Sequence, residues 1–383
     1  MRKKMGRLLA CLLVLCLLCT PLSALGQDIP EDPVAQTETR PETEVGTETE
    51  EPEPAADESE DSIRDAVDMP EREMETTLPD DAGTGAEPVQ TADIAPQSVP
   101  VVTVGPGAET ATHAQTLQGA LAKVADGGTI VLKSDYVLGE QLHITKSVAI
   151  RSEASSTKYT ISQTSGAVYL DMITISAGAT LTLEQITLDG SANNKSRFFW
   201  VRGESRLVLG DGATLQNKKA LILDCRDGAA IWNDGTVDIL TGSLITNCEA
   251  DYWGGAIYNK QGATLNLSGG IIQNCKAFIS GGAIYNSGIV YMTGGAIRNC
   301  TVRDDGGGVT TWGDFYLSGG TIAGCITTGR NTLGGGIYHV TGNLYVSGGT
   351  ITECVADNGS AIYDAAGIDR YGTTGVFFVA LPK

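Results

Sequence analysis

Five times between Gly242 and Cys354 the chain repeats one short phrase: GSLITNC (Gly242–Cys248), GGIIQNC (Gly269–Cys275), GGAIRNC (Gly294–Cys300), GGTIAGC (Gly319–Cys325) and GGTITEC (Gly348–Cys354). A weaker copy, ALILDC, ends at Cys225. Each copy precedes a segment led by glycine or alanine: AAIWN (Ala229–Asn233), GGAIYN (Gly254–Asn259), GGAIYN (Gly281–Asn286), GGGVTT (Gly306–Thr311), GGGIYH (Gly334–His339) and GSAIYD (Gly359–Asp364). The six cysteines stand 23, 27, 25, 25 and 29 residues apart. A step held in the twenties, with its variation confined to glycine-rich spacers, is the mark of a solenoid. No unit of this kind can bury its apolar side alone, so each must lie on its neighbours.

The period inside one unit decides which solenoid forms. Thr264–Asn286 holds three short apolar runs rich in Ile, Leu and Tyr, broken by Gly and Asn. Alternation with period two means strands, and no helical apolar face persists after Gly127. The pattern predicts an all-β, single-stranded right-handed parallel β-helix, with about 25 residues and three strands per coil. Stacking then predicts two inward columns: Ile231, Ile257, Ile284, Val309, Ile337 and Ile362, and Leu240, Leu267, Met292, Leu317 and Val346. Asn247, Asn274 and Asn299 fall at a bend where Asn tolerates a left-handed backbone and can bond to its copy one coil away. Gly324 suits that bend, and Glu353 suits it less well. Upstream, Thr129–Leu138, His143–Ser152, Met172–Gly190 and Arg206–Asn217 continue the strands more loosely. Gln115–Gly128 reads as a short amphipathic helix closing the open end. A β-helix over residues 99–383 would have about 11 coils and be about 50 Å long.

The rest of the chain divides by composition. In residues 1–26, Arg2, Lys3, Lys4 and Arg7 precede an apolar run from Leu8 to Leu18, with small residues before a cleavage point at Gly26. This reads as an export signal, too short for a membrane span, and it places the mature chain outside the cell or on its surface. Residues 27–98 carry 23 acidic and 3 basic side chains. That net charge of −20 equals the whole chain's, so the signal's +4 is balanced by −4 in the rest. Low hydrophobicity and self-repulsion predict an extended, disordered Glu/Thr/Pro-rich linker. The acidity belongs to this tether, and nucleic acid is excluded as a partner because no basic stripe exists.

Three of the nine cysteines lie in the signal, leaving six in the repeats. An even number in an exported chain invites disulfides. Here, however, each cysteine occupies the same slot of a coil, and side chains on in-register parallel strands point the same way. A column of reduced, buried thiols is therefore expected. A metal site is not, since CxxC pairs are absent from the repeats and only His113, His143 and His339 are available.

Over Gly242–Asp364 the chain resembles the repeats of chlamydial polymorphic outer-membrane proteins, which combine GGAI with a hydrophobic-x-x-Asn element. GGAI stands at Gly254–Ile257, Gly281–Ile284 and Gly294–Ile297, and the second element at Leu244–Asn247 and Ile271–Asn274. At the level of fold it is similar to the pectate-lyase-like superfamily, and it also resembles β-helical surface proteins of Gram-positive bacteria. These resemblances imply a bacterial surface β-helix used for adhesion or display. An enzyme of that superfamily implies more: GHG and R-x-K motifs for a polygalacturonase, which the repeats lack, or an acidic calcium cluster beside a basic residue for a lyase. The nearest approach to the latter is Arg303-Asp304-Asp305, with Asp251 and Asp357 in equivalent loops. Two carboxylates and an Arg could hold Ca²⁺ and polarise a uronate, whereas the plainer reading is a polar turn.

A more distinctive feature is aromatic. If the Ile of GGAIYN points inward, then Trp232, Tyr258, Tyr285, Tyr338 and Tyr363 point outward, with Thr310 between Tyr285 and Tyr338. One face over, Tyr291, Tyr316 and Tyr345 align, while Tyr252, Trp253 and Trp312 lie near corners. Rows of rings at β spacing suit sugars or a protein partner, and they also arise because Tyr favours strands. The sequence therefore predicts a monomeric, exported, non-catalytic binding or adhesin-like protein directed at glycans or extracellular protein surfaces. A polysaccharide lyase or glycoside hydrolase and a structural spacer are the alternatives.

Overall fold

Each coil is built from residues whose side chains cannot be satisfied within the coil itself. The computed structural model describes residues 101–154, 156–165, 170–191, 196–220, 226–366 and 377–379, all within one unit, Val89–Lys383. The predicted signal, the acidic linker and Cys225 lie outside the described residues. Within them the chain winds as a right-handed parallel β-helix, and every paired strand runs parallel to its copy one coil away.

One coil shows the plan. Thr264–Leu267 forms the first face, Ile271–Gln273 the second and Ile284–Asn286 the third. A two-residue strand, Lys276–Ala277, follows the cysteine and turns the corner. Five coils carry this extra corner strand, which adds a short fourth ladder to the three expected faces. In two coils the first and second faces fuse into single ten-residue strands, Ile289–Arg298 and Asp314–Ala323.

The third face has nine strands, from Leu142–Ile144 to Ile362–Asp364, fewer coils than the 25-residue step predicts. The difference lies upstream, where register partners Leu142 and Ile173, and again Phe199 and Ile231, are 31 and 32 residues apart. Longer connections there consume chain without adding coils. A first-face strand, Val101–Val104, also precedes the helix. The helix itself spans Leu117–Lys123, its Thr116 side chain accepting from the Gly119 N–H, and it buries Leu117 and Ala120 against the first coils.

The expected third-face column is present: Ile231, Ile257, Ile284, Val309, Ile337 and Ile362 are successive register partners. On the first face the column runs Ile239, Leu267, Met292, Leu317 and Val346. Ile239 is fully buried and Leu240 is 37% exposed, so the residue expected at the head of that column is displaced by one, a shift that moves a side chain to the opposite side of a strand. Asn247, Asn274 and Asn299 adopt the left-handed conformation at φ 55, 53 and 54°, and Glu353 is held there too, at φ 56°. The Asn247 amide donates to Asn217 Oδ1 at 3.3 Å, the lateral bond expected of that bend.

Two features of the interior bear on stability. Asn233, Asn259 and Asn286 are wholly buried and linked head to tail, each Nδ2 donating to the next Oδ1 at 2.7 and 2.8 Å, with Asn286 passing the chain to Thr311 at 2.9 Å. At the corners, the second glycine of each pair meets its neighbour's backbone: a Cβ on Gly282 would stand 2.1 Å from the Gly307 carbonyl oxygen. Only a bare Cα fits there.

Candidate functional site

Outward side chains of the third face form one row. Thr174, Trp200, Trp232, Tyr258, Tyr285, Thr310, Tyr338 and Tyr363 are successive register partners. Trp232 stacks on Tyr258 with ring centres 4.5 Å apart, and Tyr258 on Tyr285 at 5.3 Å, the planes within 14° and 10° of parallel. Trp253 reaches over from the preceding corner to stack on Tyr285 at 5.5 Å. Thus Tyr258 and Tyr285 use their faces on each other. Burial, reinforced by neighbouring Tyr258 and Asp227, raises the Tyr285 hydroxyl to about 12. Tyr291, Tyr316 and Tyr345 stack likewise on the first face, at 4.9 and 4.8 Å. Thr310 interrupts the third-face row. It is buried, bonded to Ser280 Oγ at 2.8 Å and to the Asp305 carbonyl at 3.1 Å. Beyond it Tyr338 and Tyr363 meet at 6.0 Å with planes tilted by 53°.

The stack breaks at its other end. Trp200 and Trp232 are register partners, yet their rings do not stack among the described ring contacts. Instead both indole N–H groups donate to one carboxylate, Asp234, at 2.8 and 3.2 Å. A cavity of about 450 Å³ opens there, walled by Trp200, Trp232, Tyr252 and Trp253. A shallower depression next to it shares Trp200, Asp234 and Lys260. Solenoid geometry explains the convergence. IWND and IYNK occupy the same slot in adjacent coils, so Lys260 lies 3.2 Å from Asp234. The next corner works the same way, and the Trp253 N–H donates to Asp227 at 3.2 Å.

Charge in the cavity is closely paired. Arg197 bonds buried Asp171 at 2.7 Å and lies 4.8 Å from the Trp232 ring centre. Arg226 stands 3.4 Å from Asp251 and 4.6 Å from the Tyr252 ring centre, and it donates to the Tyr252 hydroxyl. Arg202 covers Trp200 at 4.5 Å. Asp227 is the group most perturbed in this cavity: burial pushes it up to about 6, and the Trp253 N–H, Arg197 and Arg226 only partly offset that rise.

Arg303, Asp304 and Asp305, weighed from the sequence as a polar turn or a weak calcium site, make the contacts of a turn. Arg303 donates two bonds to Asp304, at 2.7 and 2.8 Å, and its guanidinium lies 4.0 Å from the Phe278 ring centre. Asp305 accepts the Leu333 N–H at 2.8 Å, and burial raises its carboxyl. Asp357 accepts the Thr332 N–H at 3.1 Å, while Asp251 faces Arg226. Asp305 and Asp357 thereby join loops of adjacent coils, the work of a turn aspartate. Among the described residues no group of three or more His, Cys, Asp or Glu side chains is placed to hold a metal ion.

The five described cysteines form one buried column of free thiols. Burial first, then Cys248 and Cys300 beside it, hold the Cys275 thiol well above its ordinary range. Of the predicted binding residues, Trp232 lines the cavity, Tyr258 and Tyr285 extend from it, and the other five lie elsewhere in the solenoid. Sequence reasoning missed Trp200, Arg197, Arg226, Asp227, Asp234 and Lys260. The usable signal was the slot rule itself: Trp200 stands between buried Phe199 and Val201 in RFFWV, as Trp232 stands between Ile231 and Asn233. No family model, curated protein or solved structure matches the chain.

Proposed function

We propose that this chain is an exported or cell-surface β-helix protein that binds glycans, with the cavity between Trp200 and Trp232 as its principal site. The break in the aromatic stack carries this reading: between Trp200 and Trp232 the rings of adjacent coils part, leaving a concave site with indole walls and convergent polar groups. Ligand sites have this form, mostly apolar with a few groups that fix orientation. Indole suits the apolar faces of sugar rings, while carboxylates and guanidinium groups take up hydroxyls. The full chain on a glycan array, with calcium and with a chelator, is expected to retain a defined set of glycans. Trp200→Ala and Trp232→Ala are expected to lose them. A native chain that captures none would overturn the reading.

One observation favours an enzyme as a second reading. A carboxyl near 6 beside a second carboxylate, Asp234, is suited to proton transfer near neutral pH. A glycoside hydrolase or lyase would release reducing or unsaturated ends from a bound polysaccharide, and Asp227→Ala would abolish the release.

A further inference from the structure

We propose that the cavity takes an uncharged sugar, not a uronate or a sulfated one, and holds an adjacent pair of its hydroxyls on the Asp227 carboxylate. This inference rests on the glycan-binding reading and specifies its ligand class. Every described cation lining the cavity has a carboxylate beside it: Arg197 has Asp171, Arg226 has Asp251 and Lys260 has Asp234. With Asp227 added, three cations meet four carboxylates among the described residues. A sugar bearing its own carboxylate or sulfate would have to displace one of these partners and would meet Asp227 and Asp234. Neutral hydroxyls meet no such conflict.

Asp234 already accepts two indole N–H groups and the Lys260 ammonium. Asp227 accepts one backbone N–H, from Trp253 through Oδ1. An ionised carboxylate offers about four lone-pair sites, and two neighbouring hydroxyls can span its two oxygens. Tyr258 and Arg197 already cover the Trp232 ring and Arg202 one side of Trp200, so the apolar side of the same sugar ring lies against aromatic edges.

The same carboxylate makes binding sensitive to pH. Asp227 faces Arg197, Arg226 and Asp251, with Asp234, Lys260 and Tyr258 near by, and burial holds it up to about 6. Above that value it is ionised and accepts both hydroxyls; below it the proton removes one acceptor. At pH 5 roughly a tenth of the molecules keep the ionised form, so affinity falls by up to about 10-fold from its value at pH 7.5. Among the described residues no histidine lines the cavity, so no described imidazole competes as the titrating group.

The test measures binding of neutral hexasaccharides (gluco-, manno- and galacto-configured) to the full chain, against oligogalacturonate and heparin fragments, by calorimetry at pH 7.5 and 5.0. The expected result is binding of at least one neutral oligosaccharide, preferred over both acidic probes and weaker at pH 5.0 by up to about 10-fold. Asp227→Asn retains an acceptor for the Trp253 N–H, and its residual binding is expected to be weaker at pH 7.5 and flat with pH. Preference for the acidic probes, or an undiminished pH effect in Asp227→Asn, would overturn this inference while leaving the glycan-binding reading in place. If no glycan of either class binds, both fall together.

Discussion

Removing Asn259 tests whether the buried amide ladder holds the coils in register. Its side chain accepts from Asn233 at 2.7 Å and donates to Asn286 at 2.8 Å and to the Ile289 carbonyl at 3.1 Å, with no exposure to water. Asn259→Ala deletes these three bonds and a longer fourth, to the Ala263 carbonyl at 3.4 Å. The groups left behind are partly provided for: Asn233 keeps the Thr264 carbonyl at 3.0 Å, and Asn286 Oδ1 keeps the Gly288 N–H at 3.0 Å. At about 1 kcal/mol for each net bond, the variant should lose about 3 kcal/mol. Asn259→Asp has nearly the same shape but turns an acceptor toward the acceptors of Asn286 and Ile289, and it buries a charge without a partner. Its loss should be larger, about 3–5 kcal/mol near neutral pH. The buried carboxyl's folded pKa would be raised, so its penalty grows as pH rises from the ordinary carboxyl range up to that value, levels off above it and vanishes in acid. Urea denaturation of the full chain followed by circular dichroism measures both, and hydrogen exchange locates the opening to the coils around Asn259. An alanine variant within about 1 kcal/mol of the native chain, or an aspartate variant no worse than alanine, would refute the reasoning.

Two further outcomes are expected. Glu353 stands at φ 56° in the slot that Asn fills in three earlier coils, so Glu353→Asn should raise stability by roughly 1 kcal/mol, read as a higher denaturation midpoint. The thiols of Cys248, Cys275, Cys300, Cys325 and Cys354 should be silent to a thiol reagent in the native chain and react after denaturation without reductant. Near-zero thiol after denaturation would mean that the column is bridged.

Much of the fold was legible because in a solenoid one sequence period fixes many contacts at once. The cysteine step and the Ile of GGAIYN identify the same column that register pairing produces. Leu240 was misplaced because Ile239 and Leu240 are both aliphatic, and only alternation from Val237 decides which one turns inward. The coil number was overestimated because the early coils spend extra residues on connections that carry no periodic signal. The candidate site was harder to read for the same reason. Trp200 and Trp232 are 32 residues apart, outside the step that made the later repeats visible. Stacking of the rings depends on side-chain torsions, which a register alone leaves open. The raised Asp227 carboxyl follows from burial by a corner of the neighbouring coil, a contact between residues 26 positions apart.

The bare corner at Gly255, Gly282 and Gly307, where each Cα rests against its neighbour's carbonyl oxygen, has a consequence for how such a molecule changes over generations. Since these steps offer the same small footprint above and below, a recombination event that duplicates or drops one entire winding leaves matching surfaces on both sides of the scar. Height would then change in increments of about 4.8 Å. The cleft between Trp200 and Trp232 would persist unchanged while the length of solenoid on its C-terminal side is freely adjusted.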